Sequence, residues 1–161
     1  MNTQKPTESL GEKPFDLSTL SGLAGMQLMI DGLIPNPPIA KTMNFWLIAV
    51  AKGEAVFEGA PGPEVCNPMG GVHGGWYGAI LDSALGCAVH TEMAPGAVYT
   101  TLEYKVNITR AIPVGMKVRA TGNTLHVGRS TAVSEAKIVG VDDGRIYATG
   151  STTCIILTQA K

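Results

Sequence analysis

The stretch that decides the reading of this chain is NPMGGVHGGWYGAILDSALGCAVH, residues Asn67–His90. Its opening, residues 66–75, has no regular period and carries four glycines. From Gly74 or Gly75 to Thr91 the pattern changes. Tyr77, Ile80, Leu81, Ala84, Leu85 and Ala88 recur at helical spacing and form one apolar stripe. Pro95-Gly96 ends it. A glycine-rich turn running into a helix leaves the first backbone N–H groups without partners, and the helix dipole adds partial positive charge there. Such a place stabilises a carbonyl oxygen that becomes an oxyanion. It also reads as nothing more than a tight turn.

Asp82 is the second notable residue. It lies in mid-helix among apolar neighbours, where a charge is costly without a partner. Gly75, Gly78, Ala79 and Gly86 surround it at helical spacing, so its face is nearly bare and another backbone could pack closely there. The alternative is a structural carboxylate or a solvated edge. Gly74 and Asp82 are eight residues apart, about 12 Å along a helix. One carbonyl cannot touch both in a single chain. Two such helices antiparallel across a two-fold axis would bring Asp82 of one chain to Gly74 of the other.

Working outward, residues 1–16 read as a loose polar tail. A helical extension follows at 17–39, with Leu20, Leu23, Leu28, Ile30 and Leu33 as its apolar positions and Ser18 or Ser21 as its cap. Gly22, Gly25 and Gly32 weaken that helix, and Pro35-Asn36-Pro37-Pro38 stops it. Met43–Val50 and Glu54–Glu58, joined at Lys52-Gly53, predict a β-hairpin. After the long helix, Tyr99–Ile108, Met116–His126, Ser130–Val139 and Arg145–Leu157 are rich in Val, Thr, Ile and Tyr and predict four strands. One helix followed by a run of antiparallel strands is an α+β pattern, with residues 40–161 as one domain and its sheet wrapped around the helix.

Composition agrees. The chain has 161 residues, 45% of them hydrophobic and 16% charged, enough apolar material for one core. A net charge of -1 excludes a nucleic-acid-sized basic field. Three cysteines, Cys66, Cys87 and Cys154, form no CxxC pair and point to a reduced, cytoplasmic setting. Neither a membrane span nor a signal peptide is expected. His73, His90 and His126 have no ligand-like spacing with the cysteines, so neither metal nor other cofactor is expected.

The segment from Asn67 to Gly86 resembles the signature of the PaaI-like hotdog-fold acyl-CoA thioesterases. That pattern has an Asn or Gln, a glycine-containing turn, His-Gly-Gly, and an acid nine residues after the His. Here these are Asn67, His73-Gly74-Gly75 and Asp82. Tyr99–Asn107 and Val127-Gly128-Arg129-Ser130 resemble the following strand and hairpin, and the likeness covers about residues 40–157. One departure is Asn107-Ile108-Thr109-Arg110-Ala111, where the family commonly has Asn-Phe/Tyr-x-Arg-Pro.

The resemblance implies a hotdog fold with an extra N-terminal helix, and a homodimer that pairs further into tetramers. It implies hydrolysis of an aryl- or short- to medium-chain acyl-CoA. The Gly74 amide would polarise the thioester carbonyl, and Asn67 would hold that carbonyl or the water. Asp82 of the other chain would be base or nucleophile. Thr101 would orient the water or the carboxylate, with Thr100 as the alternative should the strand register slip by one. His73 would shape the turn, and His73 and Gly75 are also candidates for contact with the substrate. Arg110 and Arg129 are candidates for the phosphates of coenzyme A, or else solvated surface cations. Cys66 lacks an evident base and reads as inert. Segment 17–39 reads as packing in preference to a cover for the acyl pocket. Two other functions fit the fold: an enoyl-CoA hydratase or dehydratase, which wants a His–carboxylate pair, and a non-catalytic acyl-CoA-binding module.

Overall fold

The computed structural model describes residues 16–158, so the tail expected at 1–16 lies, Asp16 excepted, outside the described residues. Apolar alternation and turn chemistry account for the strands. β1 (Phe45–Ala51) and β2 (Glu54–Gly59) form the expected hairpin around Lys52-Gly53, where Gly53 takes a φ of 76°. The long helix α3 (Gly74–His90) follows. Four strands complete the chain: β3 (Ala97–Ile108), β4 (Val118–Val127), β5 (Thr131–Gly140) and β6 (Ile146–Thr158). All six strands form one sheet in the order β1-β2-β4-β5-β6-β3, antiparallel throughout. This is the hotdog architecture, with α3 lying across β2 to β6.

The core forms where the apolar stripe of α3 meets the sheet. Trp76, Ile80, Leu81 and Leu85 are fully buried against Phe45, Val118 and Ile138. Phe45 meets Phe57 and Trp76 edge-on, with ring centroids 6.0 and 6.5 Å apart. Two contacts bring the helix backbone itself to the sheet. Gly122 of β4 faces the Ala84 carbonyl so closely that a Cβ would collide with it. The Ser134 hydroxyl of β5 donates to the Leu85 carbonyl at 2.9 Å.

The N-terminal segment is more broken than its sequence suggests. A short 3-10 turn at Leu17–Thr19 precedes α1 (Gly22–Ile30), whose first turn is capped by Ser21. That helix ends before the prolines are reached, at Asp31 and at Gly32 with its φ of 73°, and Pro38 opens another, α2 (Pro38–Met43), which sequence reading missed. A proline at the first helical position loses no hydrogen bond. The strand expected from Met43 therefore begins at Phe45, after Asn44 leaves α2 with a φ of 52°. Among the described residues, no helix is long and apolar enough to cross a membrane.

Gly122→Ala should destabilise the protein by roughly 1–3 kcal/mol, because helix and strand backbones must separate. Gly25→Ala, in open space on α1, should stabilise it by about 0.5–1 kcal/mol. Urea unfolding of both variants checks this; equal effects would mean that α3 is not seated on Gly122.

Candidate active site

The turn before α3 is held together by Asn67. Its Oδ1 accepts the N–H groups of Met69 at 2.9 Å and Gly71 at 3.2 Å. Its own N–H donates to the Gly71 carbonyl, and Cys66 bridges to Val72. Those two acceptor bonds fix the amide orientation and leave Nδ2 as the free group. Asn67 can therefore offer a ligand only a donor.

His73 is the N-cap of α3. Its Nδ1 accepts the Gly75 N–H at 2.9 Å, so both the ring and that amide are engaged in shaping the turn. The Trp76 N–H returns to the His73 carbonyl. The Gly74 N–H donates to no acceptor among the described residues, and the residue is exposed. Of the two glycines, Gly74 is the one with a backbone donor to spare, at the positive end of a helix of 17 residues.

Eight residues further along, Asp82 is half-buried and accepts a hydrogen bond from the Thr101 hydroxyl, Oγ1 to Oδ1, at 3.0 Å. Thr100 is exposed and makes no such contact. The bare helix face around Asp82 is filled by tyrosines of the chain's own β3, not by another backbone. Tyr104 Oη lies 3.0 Å from where a Gly78 Cβ would stand, and Tyr99 Oη 2.6 Å from that of Gly86. Successive helix positions 78, 82 and 86 are about 6 Å apart along the axis. A strand advances about 6.7 Å per two residues. A bulge at Leu102, between Thr101 and Glu103, turns both Thr101 and Tyr104 toward the helix. Tyr99, Thr101 and Tyr104 thus meet Gly86, Asp82 and Gly78 in turn. The glycines were visible in the sequence; the tyrosines that fill them were not anticipated.

Asp82 also acts on its surroundings. Burial, and then the nearby Asp82 charge, push the Cys87 thiol up to about 12. Burial likewise raises Tyr99, again with Asp82 contributing. Both groups stay protonated beside the carboxylate at neutral pH. The Cys66 thiol donates only to the Gly62 carbonyl. It lines a cavity of about 480 Å³ beside the turn with Thr42, Met43, Glu64, Val65, His73, Gly75 and Trp76. The Trp76 indole N–H is spent on the Met43 carbonyl, 2.7 Å away.

The two candidate arginines lie far apart. Arg110 follows β3 at the Gly74 end and stacks over the Tyr147 ring at 6.0 Å. Exposed Arg129 sits in the turn whose Ser130 carbonyl accepts from Ile156, the β6 partner of Tyr99. Tyr99 and Ile108 are nine residues apart in β3, about 30 Å.

Comparison with known proteins gives the class. Residues 69–147 match the family described as Thioesterase superfamily. A 1,4-dihydroxy-2-naphthoyl-CoA hydrolase of Listeria monocytogenes is 29% identical over 100 residues, covering 62% of this chain and 80% of that protein. A putative thioesterase from Ralstonia eutropha, titled a phenylacetic acid degradation-related protein, is 27% identical with a TM-score of 0.72, over 80% of this chain and 97% of that one. The PaaI protein of E. coli shares the fold at a TM-score of 0.73 and 20% identity, over 88% and 96%. With His73-Gly74 and the mid-helix Asp82 inside the matched segment, the chain carries a thioesterase-superfamily domain of the hotdog fold, similar to PaaI-like proteins, and is a thioester hydrolase.

Proposed function

We propose that this protein hydrolyses an aryl- or short- to medium-chain acyl-CoA to the free acid and coenzyme A, at a site shared between two copies of the chain. The observation that carries this reading is the Thr101–Asp82 hydrogen bond, set eight residues from the unoccupied Gly74 amide on one rigid helix. Both groups are suited to the same thioester, yet about 12 Å separates them along the axis. A second copy supplies the missing half. β3 is the open edge of the sheet and exposes Val98, Leu102, Tyr104 and Ile108, an edge that invites pairing. Antiparallel pairing that sets Ile108 of one chain beside Thr101 of the other brings Gly74 to the second Asp82. It also brings Arg110 toward the second Arg129, which would put both cations at one mouth for the CoA phosphates. Two such dimers pairing further give the tetramer in this reading.

The chemistry follows from those groups. Thr101 holds one Asp82 oxygen, leaving the other to take a proton from water as the water oxygen attacks the carbonyl carbon. The Gly74 N–H and Asn67 Nδ2 stabilise the oxyanion. Its collapse breaks the C–S bond, and the CoA thiolate leaves and takes up the proton. The CoA-ester named for the Listeria relative supports the substrate class. A hydratase would want a His–carboxylate pair, and no His of the described residues bonds a carboxylate.

Thiol release from a panel of acyl-CoA esters tests the reading. Asp82→Asn should cut kcat by roughly 10²–10⁴-fold with the oligomer intact. Full activity in that variant would sink the mechanism. Asn67→Asp keeps the acceptor that the turn needs but loses the donor, so kcat should fall about 10²–10³-fold without loss of fold. Thr101→Val should lower kcat, whereas Thr100→Val should not; the reverse pattern would assign the wrong threonine.

A further inference from the structure

Two cavities lie under the N-terminal segment; the smaller reaches α3 at Ser83 and Cys87, the larger at Cys87 and His90. The smaller, about 90 Å³, is lined by Met26, Met29, Ile39, Phe45, Ser83 and Cys87 among others. The larger, about 410 Å³, is lined by Leu20, Met26, Met29, Ile34, Cys87 and Val98 among others. Met26, Met29 and Cys87 are the walls common to both. The smaller cavity makes few polar demands. Ser83 already donates to the Ala79 carbonyl at 2.9 Å, and Cys87 is held as the neutral thiol. A cavity with such a lining stays dry and accepts apolar groups.

The roof is fixed in place. Gly22, the first residue of α1, donates to the Met93 carbonyl at 3.0 Å and abuts the His90 carbonyl with no room for a Cβ. Met26 is buried in the core, while Met29 is half-buried. Methionines are unbranched and adaptable, so they wall a space that must fit a flexible guest. This roof comes wholly from residues before Met69, outside the segment that matches the family. Ser83 follows Asp82 directly in α3, and Cys87 senses the Asp82 charge. The smaller cavity thus begins one residue along the helix from the candidate base, and the larger continues from it past Cys87.

We propose that α1 and the segment following it do more than pack: they form the pocket for the acyl group of the thioester, with Met26 and Met29 setting its size. This rests on the thioesterase reading above, with the acyl carbonyl at Asp82 and the tail running beneath α1. The more polar cavity beside His73 is then not the acyl site.

Two experiments separate failure of this inference from failure of that reading. The first is kcat/KM over a series of straight-chain acyl-CoA esters and phenylacetyl-CoA. Met29→Ala should move the optimum to longer chains. Met29→Phe should reduce kcat/KM for the longest good substrate by roughly ten-fold or more, the scale on which apolar pockets discriminate, and leave acetyl-CoA little changed. Both variants should keep the wild-type circular dichroism spectrum. Active variants with the wild-type chain-length profile would overturn the proposal, as would a profile that shifts with Thr42→Phe in the cavity beside His73 and not with Met29. The second experiment needs no turnover. Octanoate and phenylacetate, titrated into protein with isotope-labelled methionine methyl groups, should shift the Met26 and Met29 signals and leave exposed Met69 unmoved. Signals that stay still at saturating acid would overturn the pocket even in an active enzyme; shifted signals without hydrolysis would support the pocket and reject the thioesterase reading.

Discussion

The central helix can approach its sheet this closely only where side chains are absent from the contact. Gly122 on β4 lets the α3 backbone settle onto the strand, and Ser134 fixes it there through the Leu85 carbonyl. On the other side, Gly78 and Gly86 admit the two tyrosines of β3. The position of Asp82 follows from these seats. With the helix clamped on both sides, its carboxylate accepts from one hydroxyl, that of Thr101, and is only half-buried. Holding the candidate base by packing and one hydroxyl, and not by ion pairs, leaves its second oxygen free for the proposed chemistry.

The same clamp explains which parts of the fold could be read from sequence. The hairpin at 45–59, the long helix and the four later strands announce themselves through period, β-branched content and turn residues. The order of the strands does not, because β3 pairs with β6 at the far edge and only tertiary packing decides that. The short helix Pro38–Met43 stayed hidden because a proline run reads as a stop, whereas here Gly32 ends the preceding helix and Pro38 starts the next. The bulge at Leu102 has no glycine or proline to mark it. It arises from the mismatch between helix and strand spacing, which no local pattern encodes.

The candidate site was legible in its parts and not in its bonding. Spacing marked Asp82 and the turn, but the turn could have offered two amides. The structure leaves Gly74 open because His73 takes the Gly75 N–H. Asn67 was expected to hold a ligand; its carbonyl holds the turn instead, and only its NH₂ remains for one. The smooth face around Asp82 suggested close approach of another backbone, whereas side chains of the same chain fill it. Glycine in a helix marks a notch without naming the guest.

At the centre of this account is a site divided between two chains, and subunit mixing tests it most directly. Gly74→Pro removes only the amide proton, since proline suits the first helical position and the extended His73 before it accommodates the ring. Asp82→Asn removes only the base. Each homo-oligomer should be nearly inactive alone. After unfolding and refolding together in equal amounts, half of the dimers would carry one site with both groups intact, and thiol release should recover to about a quarter of wild type. A mixture no more active than its parents, with subunit exchange verified by mass spectrometry, would place both groups in one chain and contradict the account.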